Sequence, residues 1–424
     1  MGWLLVLMPI TLLVLGVPFF LILFATCASA LLLSGDIPAT AIHQVMFSSI
    51  DKYALLAVPF FIFAGDLMGK GSVSKSLVRI VSALIGGARG SLPLSSLGAA
   101  TLFGAISGST AATTAAVGSV MYGRLRQAGY DEKFSSSIFV SAGAIANLIP
   151  PSIGFILFGI ASDTSIVRLF AAGVIPGLVM AAFFGAYIYA YVLRKGEKPG
   201  VPFRFAELLA SVREGLWALG APVLILGGIY TGVFSPTEAA GVAGVYAIFV
   251  ATLVYGEVTL EGVFDAASRS MYLTAQIFAI VAVAGVYSWL LTVSGYALAA
   301  TDYINGLGFS PWAVLLTINL LLLFVGCVLD TASAILVLTP LLMPIARAAG
   351  IDPIHFGVIV VMNLSIGTFT PPFGIDIFVG QAVFKTPLAS RYRGLVPFII
   401  ASIGALMVVT YMPWLSLWLP RVLG

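Results

Sequence analysis

The stretch TFTPPFGIDIFVG, Thr368 to Gly380, places two adjacent prolines, Pro371 and Pro372, in a segment otherwise apolar enough for the interior of a membrane. Proline removes a backbone donor and its ring clashes with the carbonyl four residues earlier, which costs about 3 kcal/mol or more inside a helix. It also pushes the preceding residue out of the helical region. Two in succession stop a helix. In lipid the carbonyls so released are tolerated only where protein or a water-filled cavity surrounds them. The same device stands at NLIPPSIGFILFG, Asn147 to Gly159. Pro150 and Pro371 are 221 positions apart, as are Gly159 and Gly380, and Pro176 and Pro397. Upstream, FGAISGSTAA (Phe103–Ala112) faces VGCVLDTASA (Val325–Ala334), with Gly104 and Gly326 at an offset of 222. A nearly constant offset over this distance marks two copies of one unit. Residues 1–200 form the first, 213–424 the second, and 201–212 a cytoplasmic linker.

The composition fixes the solvent. Of 424 residues 60% are hydrophobic and only 9% charged, with mean hydropathy +1.10, whereas a soluble chain carries about a quarter charged residues. Apolar runs of about 20 residues, each able to cross the hydrocarbon core as a helix, recur along the chain. The expected fold is an all-α polytopic membrane protein. A net charge of +3 gives no ground for a nucleic-acid partner. Cys27 and Cys327 lie in apolar segments and read as packing residues. CASA (Cys27–Ala30) mimics a signal-peptidase site, but MGWLLVLMPI has no basic region before it, so the segment reads as an uncleaved span.

Basic residues mark the cytoplasmic side. Lys70, Lys75, Arg79 and Arg89 form one cluster, Arg124, Arg126 and Lys133 a second, and Arg194, Lys195, Lys198, Arg204 and Arg213 a third. The first two bracket residues 92–123, so that segment must enter and return on one side, as a re-entrant hairpin with its tip at Ser107–Thr110. Its counterpart, about 311–345 with a tip at Asp330–Ser333, has base-poor flanks and should open from the opposite face. Inversion of the copies requires an odd number of crossings in each. The first offers two short helices split at GVP (Gly16–Pro18), then 53–69, the broken helix 134–162, and 168–193. The second offers 214–234 and 237–255 split at SPTE (Ser235–Glu238), then 270–293, the broken helix 354–386, and 394–418. Reading 3–33 as one span instead would move the N-terminus from outside to inside. Segments 70–90 and 294–310 read as interfacial arms; in the first, Lys75 and Arg79 oppose Val73, Leu77, Val78 and Ile80.

In inverted-repeat transporters broken helices meet near the midplane, their carbonyls binding cations and their helix N-termini attracting anions. The expected breaks free carbonyls at Asn147–Ile149 and Gly367–Thr370, each close to one hairpin tip. The tips add Ser107, Gly108, Ser109 and Thr110 on one side and Asp330, Thr331 and Ser333 on the other. Hard, weakly charged oxygen ligands suit Na⁺ better than a divalent ion, and neutral hydroxyls cannot relay protons as a buried carboxylate chain can. Asp330 is a functional candidate because an ionisable residue among apolar runs is costly. Asp376 is a weaker one, readable as a counter-charge at a helix end. Ala111 to Ala116 read as close-packing residues. Asp66 and Glu238 fall near the interfaces, and His43 and His355 in connections, where solvated histidines are expected. Lacking an arginine or lysine at assured midplane depth, an anionic substrate is expected against hydroxyls, backbone amides and helix N-termini. For that role the candidates are Ser107, Gly108, Pro150, Pro151, Ser152, Ser333, Pro371, Pro372 and Asp376. An enzyme reading fails: there is no metal-binding His pair and no Gly-rich phosphate loop, and AISG (Ala105–Gly108) lacks the first glycine of an intramembrane protease turn. Without an ATPase motif, energy must come from an ion gradient or another chain.

Together FGAISGSTAATTAAVGSVM, NLIPPSIGFILFGI, GVFSPTEAA, LDTASAILVLTPLLMPIA and GTFTPPFGID resemble the large membrane subunit of tripartite ATP-independent periplasmic (TRAP) transporters, over essentially the whole chain. The resemblance implies an ion-transporter-superfamily fold with elevator motion and Na⁺-driven uptake of small organic acids such as C4-dicarboxylates or sialic acids. It implies residence in the bacterial inner membrane, no cofactor besides the coupling ion, and two partners: a small four-helix membrane subunit, expected here as a separate chain, and a periplasmic substrate-binding protein. It places sodium sites at Ser107, Ser109, Thr110 and Asn147 in one half and at Asp330, Thr331, Gly367, Thr368 and Thr370 in the other. A stand-alone Na⁺/carboxylate symporter would share the hairpins and need no binding protein. A channel would need a continuous polar pore, and no ring of charge is visible.

Overall fold

A computed structural model of the chain describes residues 2–34, 38–69, 71–196 and 202–423. Lys70, Lys198 and the first residue of the 201–212 linker lie outside them. The described residues form helices and connections, with no strand among them.

The chain opens with α1 (Gly2–Val14) and α2 (Phe19–Ser34), which pack on each other across the Gly16–Pro18 break. Next come α3 (Ala39–Ile50) and α4 (Ala57–Met68), a pair bent by 54°. Helix α3 lies ahead of the 53–69 span expected from sequence and is an addition to it. Then follow α5 (Ser72–Ile85), α6 (Ser91–Ser107), α7 (Thr110–Gln127), α8 (Glu132–Gly143), α9 (Ile153–Ser162) and α10 (Ile166–Arg194). The second half has α11 (Phe205–Glu214) and α12 (Leu216–Tyr230), bent by 70°, then α13 (Pro236–Phe249) and α14 (Leu260–Val293). Ser235 and Glu238 of the SPTE signal form a reciprocal capping box: Ser235 N–H donates to Glu238 Oε2 at 2.8 Å and Glu238 N–H to Ser235 Oγ at 3.3 Å. The chain ends with α15 (Tyr296–Gly306), α16 (Pro311–Gly326), α17 (Thr331–Ala348), α18 (Pro353–Gly367), α19 (Ile375–Phe384), α20 (Leu388–Tyr411) and α21 (Trp414–Val422). Among the described residues five helices are long and apolar enough to cross a membrane, or seven spans with the two bent pairs.

The two sequence halves interleave. Helices α12 to α14 of the second half pack among α2 to α5 of the first, and α7 to α10 pack among α17 to α21. The wholly buried phenyl rings belong mainly to the second group, with Phe158 edge-on to Phe356 and Phe184 edge-on to Phe369 and Phe398. Such geometry suits the ring quadrupole. Water does not drive helices together inside lipid, so close fit must. Gly326 and Gly367 show it: a Cβ at Gly367 would overlap the backbone of Gly326, so α16 and α18 touch main chain to main chain.

One polar residue departs from expectation, and others are engaged inside the fold. His355 is not solvated but 2% exposed. Its Nδ1 lies 2.7 Å from Ser416 Oγ and its Nε2 3.2 Å from the Thr410 carbonyl, because α18 starts beneath α21 instead of in open solvent. Asp66 pairs with Arg269 at 2.8 Å. Arg391 is fully buried and donates to the carbonyls of Ile377 (2.6 Å) and Thr386 (3.0 Å), fixing the connection from α19 to α20.

Candidate functional site

Each Pro-Pro pair interrupts a helix. After α8, a short 3-10 turn over Ala144–Asn147 leads into Pro150 and Pro151, and α9 starts after Ser152. Ser152 bridges the gap: its Oγ donates to the Asn147 carbonyl at 2.5 Å and accepts from Phe155 N–H at 3.2 Å, capping α9. After α18 the chain turns through Thr368–Gly374 before α19. The prolyl peptide bond within each pair is cis. The first break is wholly buried, whereas Pro372 and Phe373 of the second are exposed.

The carbonyls expected to be free are mostly engaged. The Gly367 carbonyl accepts from Thr370 N–H at 3.1 Å, Thr368 from Asp376 N–H at 2.9 Å, and Thr370 from Gly374 N–H at 3.3 Å. A tight turn follows the helix and refills its last acceptors, which an extended break would not do. Each such carbonyl keeps a second lone pair.

Helix α6 ends at Gly108, in the left-handed region at φ +56°, a conformation that favours glycine. A Cβ there would also overlap the Pro151 carbonyl oxygen, so the α6–α7 tip rests on the first break. Ser109 caps α7 by accepting from Ala112 N–H at 3.3 Å, and the Ser107 and Thr113 hydroxyls are 3.0 Å apart. In the second half Asp330 caps α17, accepting from Ser333 N–H at 3.0 Å. Its side chain is exposed and, with Thr368, lines a cavity of about 190 Å³ between the α16–α17 tip and the second break. Beside it the Thr331 and Ser333 hydroxyls are buried without a hydrogen-bond partner among the described residues.

The unexpected residue is Asp376. It is 0% exposed. Its Oδ1 accepts from the Thr110 hydroxyl at 2.8 Å and its Oδ2 lies 2.7 Å from the Thr368 hydroxyl. Thr110 begins α7 and Asp376 lies in the first turn of α19, so the carboxylate faces two helix N-termini, where negative charge is stabilised. It therefore ties the first-half tip to the second-half break. Ranking by sequence put it below Asp330, because FGID reads only as a helix start; the partner lies 266 positions away.

The geometry thus joins Ser107, Gly108, Ser109, Thr110, Pro151 and Ser152 on one side, Asp330, Thr331, Ser333, Gly367 and Thr368 on the other, and Asp376 between them. Thr370 is turned aside, its hydroxyl donating to the Ile366 carbonyl at 2.7 Å.

The chain matches the family described as "Tripartite ATP-independent periplasmic transporter, DctM component" over residues 4–415. It belongs to that family. An ectoine/5-hydroxyectoine TRAP transporter large permease protein of Ruegeria pomeroyi is 40% identical, the match covering 97% of this chain and 96% of the relative. A C4-dicarboxylate TRAP transporter large permease protein of Pseudomonas aeruginosa is 40% identical over 89% of each chain. A sialic acid TRAP transporter large permease protein of Vibrio cholerae is 34% identical over 96% of this chain and 95% of its own length. These relatives are named as permease subunits, not enzymes. The DctM-family chain described here is a TRAP large permease subunit, a transport protein of the inner membrane. Such subunits work with a small membrane subunit and a periplasmic binding protein.

Proposed function

We propose that this permease imports a small carboxylate-bearing solute using the Na⁺ gradient. A periplasmic binding protein delivers the solute, and a small membrane subunit is the other partner. The carrying observation is the pair of oxygen-rich tips, each against a helix break, joined through Thr110, Asp376 and Thr368. Sodium ligands come from Ser107, Ser109, Thr110 and Asn147 on one side and from Asp330, Thr331, Gly367, Thr368 and, through its carbonyl alone, Thr370 on the other. The N-termini of α7, α9 and α17 supply the positive poles for a carboxylate. The relatives are named for C4-dicarboxylates, sialic acid and ectoine, solutes that share a carboxylate and little else, which fits recognition by hydroxyls and backbone. Reconstituted with both partners, the permease should accumulate such a solute under an inward Na⁺ gradient. Equal uptake with K⁺ replacing Na⁺ throughout would end the reading.

The proposed architecture is two inverted repeats whose hairpins, α6–α7 and α16–α17, open on opposite faces, moving as an elevator. With Cys27 and Cys327 replaced by Ala, a thiol at Gln127→Cys should react only with cytoplasmic reagent, and one at Ala348→Cys only with periplasmic reagent. Both positions are exposed near hairpin bases. Labelling of the two from one side would rule inversion out.

A further inference from the structure

A second cavity, of about 530 Å³, opens where α7 ends, α8 begins, α10 ends and α20 begins, the ends that the basic-residue pattern assigns to the cytoplasm. Three cations line it: Arg126, Lys133 and Arg393. Two carboxylates line it as well, yet among the described residues none of the three cations forms an ion pair. Asp131 instead accepts from the Tyr191 hydroxyl at 2.6 Å, and Arg126 donates to the Tyr130 carbonyl. The side chains of Lys133 and Arg393 make no hydrogen bond among the described residues. They are forced together by packing: a Cβ at Gly394 would stand 2.6 Å from the Lys133 carbonyl oxygen and 2.5 Å from Ser137 Oγ, so α20 presses directly on α8. The aromatic wall is Phe134 stacked on Tyr191 at 3.8 Å. From Arg393 an apolar stripe continues along α20 at helical spacing, with Val396 50%, Ile400 66% and Ile403 36% exposed. One face of one helix therefore carries an unpaired cation at its cytoplasmic end and bare aliphatic surface above it.

We propose that this cavity holds the phosphate headgroup of an anionic phospholipid of the cytoplasmic leaflet, with an acyl chain along the Val396–Ile403 face. Unpaired cations at this level attract anionic headgroups, an aromatic wall suits the interface, and the stripe distinguishes a lipid from a free anion. Because the cavity is lined by α7, α8 and α10 on one side and α20 on the other, the lipid would clamp elements from the two sequence halves.

The test uses the full-length chain in detergent, titrated with phosphatidylglycerol, phosphatidylcholine or inorganic phosphate, with binding read by native mass spectrometry and thermal midpoint. The double variant Lys133→Gln/Arg393→Gln should bind phosphatidylglycerol about 30-fold more weakly, the loss expected for two cations near an anionic surface. Its midpoint in phosphatidylcholine should equal that of the parent, since both side chains are exposed and unbonded. Ile400→Ser should weaken phosphatidylglycerol binding as well. Unchanged phosphatidylglycerol affinity in the double variant overturns the proposal. So does inorganic phosphate that competes with the lipid at millimolar concentration while Ile400→Ser has no effect, which would make the site one for a free anion. A photoreactive group at position 400 that crosslinks in native membranes to protein instead of lipid would assign the stripe to a partner subunit and overturn it too.

Discussion

Asp330→Asn is expected to weaken the Na⁺ dependence of uptake roughly tenfold to a hundredfold while the protein folds and inserts normally. The choice of asparagine follows from the geometry. Asp330 caps α17 through the Ser333 N–H, and a cap exchanged for alanine costs about 1 kcal/mol of helix stability. Alanine at 330 would therefore mix a folding defect with a binding defect. Asparagine caps as well as aspartate and removes only the charge. In the proposed site that charge faces Na⁺ across a cavity shared with Thr368. At a few ångströms in a partly wet site, a unit charge contributes roughly tenfold to a hundredfold in cation affinity after screening. Sodium titration of uptake in reconstituted complexes should show that rightward shift, or no uptake within the accessible Na⁺ range. Wild-type sodium dependence in Asp330→Asn would reduce Asp330 to a helix cap, and the ligand assignment in the second half would lose its only carboxylate.

The fold was legible where a residue acts on its own backbone. Pro-Pro pairs, SPTE, GVP and Gly108 each carry a local rule, and each coincides with a helix end. Helix α3 was missed because AIHQVMFSSI is neither a strong apolar run nor a charged connection. The start of α14 was placed ten residues late for a related reason: Glu261, Asp265 and Arg269 made its first turns look like a loop. In the site, Ser109, Ser152 and Asp330 all cap helices, a local role that their reading as ligands did not contain. What sequence could not show was partnership at long range. Nothing near His355 announces Ser416, and nothing near Asp376 announces Thr110. Depth was equally hidden: Pro150–Pro151 and Pro371–Pro372 look equivalent in sequence, yet the first pair is buried and the second opens outward.

Asp376→Ala should be among the most damaging substitutions in the chain, for stability as well as transport, and Asp376→Asn should rescue most of both. Alanine removes the acceptor of the Thr110 hydroxyl and leaves the Thr368 oxygen facing a void, at a position with 0% exposure. Bonds to charged groups contribute about 1.5–3 kcal/mol each, and an orphaned buried polar group costs about 1–3 kcal/mol. A loss of about 3 kcal/mol or more is therefore expected, read as a lower midpoint of irreversible unfolding and faster proteolysis in micelles. Transport should fall further than stability alone explains, because the tip of α6–α7 loses its tie to the second break. The proton count tells why asparagine can substitute. The Thr368 hydroxyl has one hydrogen but two acceptors at 2.7 Å, the Ser365 carbonyl and Asp376 Oδ2. If that hydrogen goes to Ser365, the contact with residue 376 needs a donor on residue 376, which a side-chain amide supplies; its oxygen still accepts from Thr110. A clasp built of hydrogen bonds therefore survives the change from carboxylate to amide. Uptake by Asp376→Asn at a tenth or more of the parent rate, with a thermal midpoint much closer to the parent's than to that of Asp376→Ala, is the expected result. Full stability with no uptake would show instead that the negative charge itself is used, and would move Asp376 from the tie between the two sites into the set of ion ligands.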